Sequence, residues 1–317
     1  MNNILIIWIG RLGDFAVSLR FLNAVRKTYP ESKITFIGTK KNRELAEISS
    51  LFDSIIFLPN IINFFVYLKV IISLYFKKYD LLIDLNPSYS RTSNLIANIT
   101  HSKRKVSFTK KLSEKIFTDT ITLNETIPTR EKYRQLARYL NLDYDVIYIL
   151  KIDLHNYGQE LLIKRKIDIN KKLIAIFAGN FNKVGHKWPD EKFIELTKKL
   201  RTKYTDFEFF YIASIQELKA NIDGIISKLP LQKFVISSSI KDLISILENT
   251  NLLITNNTGI LHIADILDIP TLSINTKYSH TIWLPEGEKH TSVYSQNWKS
   301  CHDISADEVI KKFSELF

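Results

Sequence analysis

Cysteine, glycine and proline are scarce in this chain, which has one, nine and eight of them among its 317 residues. The single cysteine, Cys301, excludes an intramolecular disulfide and fits a reducing compartment. The low glycine and proline content leaves no long flexible linker. The N terminus lacks the basic segment and cleavage site of a signal peptide. These absences lead us to expect a cytoplasmic protein.

A hydrophobic run long enough to span a bilayer is also missing from the sequence. The most apolar window, Ile61 to Phe76, contains Lys69 and is shorter than the roughly 20 residues that a spanning helix needs. Two interpretations stay open for this window. It is either a buried helix or a peripheral helix that rests on an anionic inner leaflet, beside Lys77 and Lys78.

Positive charge is abundant and unevenly distributed. The formal charge is +11, and residues 1–152, with 23 basic and 13 acidic residues, hold +10 of it. The stretch from His101 to Lys105 is the densest basic part. A basic half favours an anionic partner, such as a nucleic acid, an anionic lipid or a phosphorylated glycan. The asymmetry argues against a lysine-rich composition that merely keeps the protein soluble.

Strand and helix patterns alternate along the chain. A strand at Ile4–Ile9, a helix at Phe15–Tyr29 and a strand at Lys33–Ile37 form a βαβ unit, which implies a parallel sheet. The pattern restarts after about Lys151. We therefore predict an α/β protein with two doubly wound domains, residues 1–152 and 153–317, and a last helix at about 306–317.

The most informative segment runs from Leu252 to Ala264. An apolar strand ends at Thr255-Asn256-Asn257-Thr258-Gly259, and an apolar helical pattern follows. Such a junction presents unsatisfied backbone N–H groups at the positive end of a helix, which favours a phosphate or diphosphate. An ordinary helix cap gives the same local pattern, because asparagine and threonine are common caps.

A second junction follows the first strand, at Gly10-Arg11-Leu12-Gly13-Asp14. It does not match the dinucleotide-binding fingerprint G-x-G-x-x-G. Asp14 stands where the first helix begins, and a helix N terminus favours the carboxylate form. Asp14 is therefore a candidate general base, although aspartate at this position also serves as a simple cap.

Basic residues precede the helix predicted at Pro189–Lys203. Lys183 and Lys187 are candidates to neutralise a phosphate, the alternative being ordinary surface lysines. His186 and His262 lack the spacing of metal ligands; His262 either reaches a phosphate or packs in the core. The sequence has no P-loop, zinc signature or serine-nucleophile motif. We therefore expect no metal ion and no cofactor.

Six segments carry a family resemblance: the first strand with Leu12-Gly13-Asp14, Leu22 to Ile37, Asp80 to Leu85, Lys187-Trp188-Pro189, Asn256 to His262, and Cys301 to Val309. In this order and spacing they resemble glycosyltransferase family 9, the bacterial lipopolysaccharide heptosyltransferases. The resemblance covers nearly the whole chain.

The resemblance implies a GT-B fold, in which two Rossmann-like domains face each other across a cleft. The C-terminal domain would hold a nucleotide sugar, the N-terminal domain would hold the acceptor, and the final helix would pack back on the N-terminal domain. The implied reaction is an inverting, metal-independent transfer of heptose from ADP-heptose to a lipopolysaccharide core or related surface glycan. Asp14 would take the proton of the acceptor hydroxyl.

The same resemblance suggests which residues bind the substrates. The donor-binding candidates are Asn180, Lys183, Lys187, Glu217, Asn256, Asn257, Thr258, Gly259 and His262. The acceptor-binding candidates are Arg11, Gly13, Arg91, Lys103 and Arg104. The expected partners are the nucleotide sugar and an anionic glycan or glycolipid, with no nucleic acid.

Three positions depart from the family pattern. Asn257 replaces an aspartate, His186 stands where a basic residue is usual, and Ile274 to Lys277 replaces F-G-P-T. These departures leave open a family member that uses a different nucleotide sugar, or a GT-B nucleotide-sugar epimerase, which acts without an acceptor. A nucleic-acid-binding protein is a further alternative, but the basic residues lack an interleaved aromatic stacking platform.

Overall fold

The computed structural model describes residues 1–58, 64–124, 126–144, 148–179, 185–214 and 234–317. The chain divides into two compact units, Met1–Tyr148 and Ile149–Phe317. The division falls a few residues before the boundary that we placed after residue 152. Each unit is built on a six-stranded sheet whose strand pairs are parallel.

The N-terminal unit alternates strands with helices. Its strands are β1 Asn3–Ile7, β2 Lys33–Thr39, β3 Ser54–Leu58, β4 Lys78–Asp84, β5 His101–Phe108 and β6 Asp119–Ile121. Its helices are α1 Leu12–Thr28, α2 Arg43–Ser49, α3 Phe64–Tyr75, α4 Arg91–Ile99, α5 Ser113–Ile116 and α6 Thr129–Tyr139. The strand order is β3-β2-β1-β4-β5-β6. The central strand β1 is fully buried from Ile4 to Ile7, as expected for a sheet covered on both faces.

The C-terminal unit repeats this plan. Its strands are β7 Lys172–Phe177, β8 Phe207–Ser214, β9 Phe234–Ser237, β10 Leu252–Asn256, β11 Thr271–Asn275 and β12 His290–Tyr294. Its helices are α7 His155–Lys164, α8 Asp190–Lys203, α9 Ile240–Leu247, α10 Gly259–Ile266, α11 Lys277–Trp283 and α12 Ala306–Ser314. The strand order is β12-β11-β10-β7-β8-β9.

Both sheets reverse their winding direction beside their first strand. The reversal lies between β1 and β4 in the first sheet, and between β7 and β10 in the second. In an open α/β sheet, the loops that follow the two strands at this switch point diverge to opposite faces and leave a crevice for ligands. The edge of each sheet where the strands end is here called the carboxyl edge. The topology therefore predicts a ligand crevice at the carboxyl edge between β1 and β4 and another between β7 and β10.

The predicted α/β class with two doubly wound domains is confirmed. Most predicted elements occur within a few residues of their observed bounds. The sequence pattern also predicts a strand at Lys105–Phe108, but the corresponding strand β5 begins at His101, and β12 was not predicted. The last helix, α12, buries Val309 and Phe313 in the core of the C-terminal unit, where it packs against α8. Its packing on the N-terminal domain stays a prediction.

Candidate active site

The loop between β1 and α1 is held on both sides at the carboxyl edge of the first sheet. The Trp8 N–H donates to the Ile37 carbonyl at 2.9 Å, and the Ile9 N–H donates to Asn86 Oδ1 at 3.0 Å. Gly10 lies so close to the Trp8 indole that a Cβ atom would be 2.7 Å from the ring. A larger residue at Gly10 would therefore displace either the loop or the indole. These contacts fix the path of the chain into α1.

Asp14 lies in the first turn of α1 and is partly buried. The side chain of Arg11, at the N-cap, does not cap this helix. A helix N terminus interacts favourably with a negative charge in its first turn, which is where Asp14 lies. Burial raises the pKa of Tyr133 on α6 well above its usual value, and the charge of Asp14 raises it further. Asp14 therefore acts electrostatically on a buried phenol that stays neutral at physiological pH.

A buried ion pair lies behind this loop, and sequence reasoning did not identify it. Lys110 Nζ is 2.6 Å from Asp84 Oδ2 and donates to the Asn86 carbonyl at 2.8 Å. The Asn86 side chain donates to Asp84 Oδ1 at 2.5 Å, and the Ser93 hydroxyl donates to Asp84 Oδ2. Burial lowers the pKa of Lys110, and the charge of Asp84 opposes this effect.

A sequence signal for the ion pair did exist. Asp84 ends the apolar run Leu81–Ile83, and Lys110 follows the next buried strand. A carboxylate at the end of a fully buried strand needs a cation or several donors nearby. Adjacent parallel strands end at the same edge, so Lys110 was the natural partner.

The five predicted acceptor-binding residues do not lie together. Arg11, Gly13 and Arg91 lie at the carboxyl edge, because they precede or begin helices that follow β1 and β4. Lys103 and Arg104 lie in the half of β5 toward the opposite, amino edge, where His101 pairs with Lys78, the first residue of β4. This placement corrects their assignment to the site of Asp14. Residues before or early in a parallel strand lie at its amino edge, and these two lie there whether the strand begins at His101 or at Lys105.

Lys103 and Arg104 also have acidic partners within the N-terminal unit. Lys103 Nζ is 2.7 Å from Asp80 Oδ1, and Arg104 Nε is 3.1 Å from Asp119 Oδ2. The hydrogen bond from Lys103, together with those from the backbone N–H groups of Asn2 and Asn3, holds the pKa of the Asp80 carboxyl well below its usual range. Much of the predicted acceptor-binding charge is therefore paired at the other end of the sheet.

The strand–turn–helix junction of the second unit lies at its switch point, where β10 leads into α10. Thr258 occupies the N-cap, but its side chain does not cap α10, and the first turn contains no acidic residue. Asn257 Nδ2 and Thr258 Oγ1 are buried atoms that meet no hydrogen-bond partner among the described residues. Leaving such groups unpaired costs about 1–3 kcal/mol each, so their position indicates a ligand that completes them.

Asn275, at the end of the neighbouring strand β11, adds a further polar group to this edge. Its Nδ2 donates to Ser273 Oγ at 2.8 Å, whereas its buried Oδ1 has no partner within the part of the chain that the structure describes. In the sequence, Asn275 stands out only as part of the segment that departs from the family pattern. Because Asn256 at the end of β10 pairs with Ile274, the next residue, Asn275, lies at the same edge of the sheet.

Two predicted donor-binding residues are instead enclosed in the protein. Asn256 is fully buried; its Oδ1 accepts from the Trp188 N–H at 2.9 Å, and its Nδ2 lies 3.4 Å from the Gly179 carbonyl. It therefore joins the loops that follow β7 and β10. His262 is only 3% exposed and its ring lies 6.0 Å from that of Trp283, so the core-packing interpretation describes it better.

The segment before α8 places Lys187 near the helix N terminus. Lys187 Nζ lies 2.6 Å from Asp190 Oδ1, and its side chain remains 35% exposed. His186 Nδ1 lies 3.3 Å from Ser279 Oγ, which connects this segment to α11. The remaining donor-binding candidates, Asn180, Lys183 and Glu217, lie outside the described residues.

The described residues also bear on metal ligation and on membrane crossing. Within the described ranges, no group of three or more histidine, cysteine, aspartate or glutamate side chains is placed to hold a metal ion. Across the same residues, no helix combines the length and apolar character needed to cross a membrane.

Residues 67–312 match the model of glycosyltransferase family 9 (heptosyltransferase). Among curated proteins, no sequence matches the chain. The structure is similar to the glycosyltransferase family 9 protein from Veillonella parvula DSM 2008, with a TM-score of 0.85 at 18% identity over 99% of this chain and 97% of that one.

Two Escherichia coli enzymes have a similar fold. ADP-heptose lps heptosyltransferase II matches with a TM-score of 0.82 at 18% identity, over 100% of this chain and 98% of its own. Heptosyltransferase WaaC with ADP matches with a TM-score of 0.78 at 14% identity, over 99% of each chain. The UDP-GlcNAc 2-epimerase from Methanocaldococcus jannaschii is more distant, with a TM-score of 0.55 at 12% identity over 98% and 92% of the two chains.

Proposed function

Because the chain belongs to glycosyltransferase family 9 and has the GT-B type of fold, we propose that it is an inverting enzyme that transfers a sugar from a nucleotide donor. The proposed donor is ADP-heptose, and the proposed acceptor is an anionic glycan or glycolipid such as a lipopolysaccharide core. Neither a resident metal nor a cofactor takes part. The proposed enzyme is cytoplasmic, works at the inner face of the inner membrane and binds no nucleic acid.

The observation that carries the proposal is the start of α10. The backbone N–H groups of its first turn lie at the positive end of the helix, and beside them Asn257 Nδ2 and Thr258 Oγ1 have no partner among the described residues; these groups suit the oxygens of a diphosphate. Asn275 Oδ1 offers a hydrogen-bond acceptor nearby for a hydroxyl or amino group of the donor. Lys187, which remains partly exposed, can add positive charge.

The proposed chemistry is a single displacement. Asp14 accepts the proton of an acceptor hydroxyl while the hydroxyl oxygen forms a bond to the anomeric carbon of the donor sugar. The bond from that carbon to the diphosphate oxygen breaks, and the electron pair leaves with the nucleoside diphosphate. The start of α10 stabilises the negative charge that develops on the leaving group. Displacement from the opposite face inverts the anomeric centre.

Nucleotide binding tests the donor site separately from turnover. We expect N257A/T258V to weaken ADP binding about tenfold or more, since two donors are lost. N170A is a control at the amino edge of the second sheet, because Asn170 is exposed and precedes β7. Titration calorimetry measures both variants. Equal affinities for the wild type and the double variant would remove α10 from the donor site.

Replacement of Asp14 tests the base. We expect D14N to lower transfer by about a thousandfold, in the middle of the range for general-base catalysis, while ADP binding persists. D307N, which changes an exposed aspartate of α12, is the control. Near-normal turnover by D14N would exclude Asp14 as the base. Activity that survives a chelator supports a metal-independent reaction.

A different nucleotide sugar or an epimerase reaction remains an alternative because Asn257 replaces the usual aspartate and because distant epimerases share the fold. A thermal-shift screen of nucleotide sugars separates the donors, since a bound donor raises apparent stability. Product analysis with donor alone separates the reactions, because only an epimerase converts it without an acceptor.

A further inference from the structure

Helix α3 presents a stripe of apolar side chains to solvent. Phe65 is 84% exposed and Phe76, just past the helix end, is 77% exposed. Leu68, Ile72 and Tyr75 between them are each about half exposed. The spacing of three and four residues places all five on one face of a helix. These five residues are called the α3 stripe.

The opposite face of α3 accounts for its packing in the fold. Leu74 is fully buried, and Val70 and Ile71 pack against the hydrophobic core of the N-terminal unit. The helix contacts α4 and β3. Among the described side chains of α3, these three pack toward the core whereas those of the α3 stripe are exposed. A contiguous exposed apolar patch on a soluble protein usually marks an interaction surface, and the α3 stripe needs a separate explanation.

Positive charge surrounds the α3 stripe. Lys69 is exposed on the same helix, and Lys77 and Lys78 are exposed directly after it. The Tyr75 ring lies 4.9 Å from the ring of His101, the first residue of β5. That contact brings the densest basic segment of the chain to the end of the stripe.

Lys103 extends the basic border beyond His101. Its side chain is 81% exposed even though Asp80 lies 2.7 Å away. The position of Lys103 accounts for positive charge that lies away from the acceptor site predicted around Asp14. The basic residues near the start of β5 lie beside an apolar surface, at the edge of the sheet opposite Asp14.

We propose that the α3 stripe and its lysine border bind the surface of an anionic phospholipid bilayer. Phenylalanine and aliphatic side chains of an amphipathic helix enter the boundary between headgroups and acyl chains, and flanking lysines pair with lipid phosphates. Charge complementarity favours this occupant over a second copy of the chain. Two copies packed face to face would bring lysines against lysines, whereas an anionic bilayer neutralises them.

The path of the chain gives this surface a defined extent. Helix α3 follows β3 at the carboxyl edge of the sheet and ends before β4 at the amino edge, so the stripe runs between the two edges. Twelve residues of α-helix measure about 18 Å. The proposal does not depend on glycosyl transfer, and vesicle binding is measured without donor or acceptor.

Vesicle cosedimentation of the full-length protein tests the proposal. The vesicles are phosphatidylcholine alone or an equimolar mixture with phosphatidylglycerol. We expect the wild type to bind the mixed vesicles in a salt-sensitive manner and not to bind the neutral ones. F65S/F76S should lower the partition coefficient about tenfold or more, because two exposed apolar groups are lost. K77E/K78E should lower it comparably and reduce the salt dependence.

Matched controls distinguish vesicle binding through this surface from non-specific adsorption. I163S removes a 56% exposed apolar residue from α7, and K198E/K311E reverses two exposed lysines of the C-terminal unit. Both should bind vesicles like the wild type. Circular dichroism checks that every variant is folded. We expect folding to be kept because all the substituted positions are exposed.

Four results would overturn the proposal. The first is equal binding of the mixed vesicles by the wild type and the stripe variants, the second is an equal loss of binding in the controls, and the third is binding of neutral vesicles as strong as that of anionic ones. The fourth is a wild-type dimer in sedimentation velocity that F65S/F76S dissociates, without vesicle binding. That outcome would assign the stripe to a second copy of the chain.

Discussion

Asn86 Oδ1 accepts a hydrogen bond from the Ile9 N–H at 3.0 Å, and this bond joins the end of β4 to the loop that leads to Asp14. Asn86 is itself held by Asp84, which pairs with Lys110. The two strands at the switch point of the first sheet are therefore connected through a buried polar network. The position of Asp14 depends on side chains that face the interior.

Replacing Asn86 should affect turnover more than substrate binding. N86A leaves the Ile9 N–H without its acceptor, so the loop before α1 loses a fixed point. We expect kcat to fall about tenfold or more while the donor KM changes little, because a small misplacement of a catalytic group is costly. Steady-state kinetics measure the two constants. N98A, an exposed change on α4, is the control, and a pure KM effect would contradict a positioning role.

Removing Lys110 should strongly destabilise the N-terminal unit. K110M leaves the Asp84 carboxylate buried without its cation, and breaking one side of a buried pair costs about 3–5 kcal/mol. Urea unfolding gives the change in free energy. K111M changes the neighbouring, exposed lysine and should have little effect. The double variant D84N/K110M should recover part of the loss, and no recovery would show that charge is not the cause.

Most of the fold could be predicted from the sequence because the features that mark strands and helices are local. Buried parallel strands appear as short apolar runs such as Ile4–Ile7, and helix starts and stops flank them. The strand β12 was missed because His290 to Tyr294 has few apolar residues and lies partly exposed at the edge of its sheet. The start of β5 was missed because lysine and arginine occupy strand positions whose side chains extend to solvent and to acidic partners.

The candidate site was readable only in part. The junctions at Asp14 and Thr258 were found because strand, turn and helix signals coincide there. The burial of Asn256 depends on which strands are neighbours, and Lys110 meets Asp84 across 26 residues of sequence. Pairing between strands determines both, and a local pattern does not report it.

Gly185 and Gly287 form a matched pair for testing the segment before α8. Both have positive φ angles, +81° and +109°, so alanine is strained at either position. A Cβ atom at Gly185 would lie 2.3 Å from the Lys299 carbonyl oxygen, whereas one at Gly287 would approach nothing closer than 4.0 Å. G287A should therefore show the conformational cost alone, about 1–2 kcal/mol.

G185A should cost clearly more than G287A, because the Lys299 carbonyl must also move. The Gly185 carbonyl accepts from the Cys301 N–H at 3.0 Å, so the shift would disturb the segment that carries Lys187. We expect the affinity for ADP to fall together with stability in G185A only. Calorimetric unfolding and ADP titration measure the two effects. Equal costs for the two variants would show that the close approach to Lys299 is relieved without strain.

Asp119 should make stability depend on pH on the acid side. Burial opposes its ionisation, but hydrogen bonds from Tyr139 and Arg104 outweigh burial and lower the pKa of Asp119 from 3.8 to about 2. The folded pKa lies below the unfolded one, so the unfolded state binds more protons as the pH falls. The stabilisation is fully present well above pH 3.8 and disappears as the pH falls through 3.8 to about 2.

The difference in melting temperature between the wild type and D119N should therefore be constant near neutral pH and should close between roughly pH 5 and pH 2. Y139F removes one of the donors to Asp119, whose oxygen lies 2.6 Å from the phenol oxygen. Its effect should have the same sign as that of D119N and a smaller size, because Arg104 still donates. Scanning calorimetry across this range measures both. Curves for D119N and the wild type that stay parallel down to pH 2 would show that Asp119 does not contribute to acid stability.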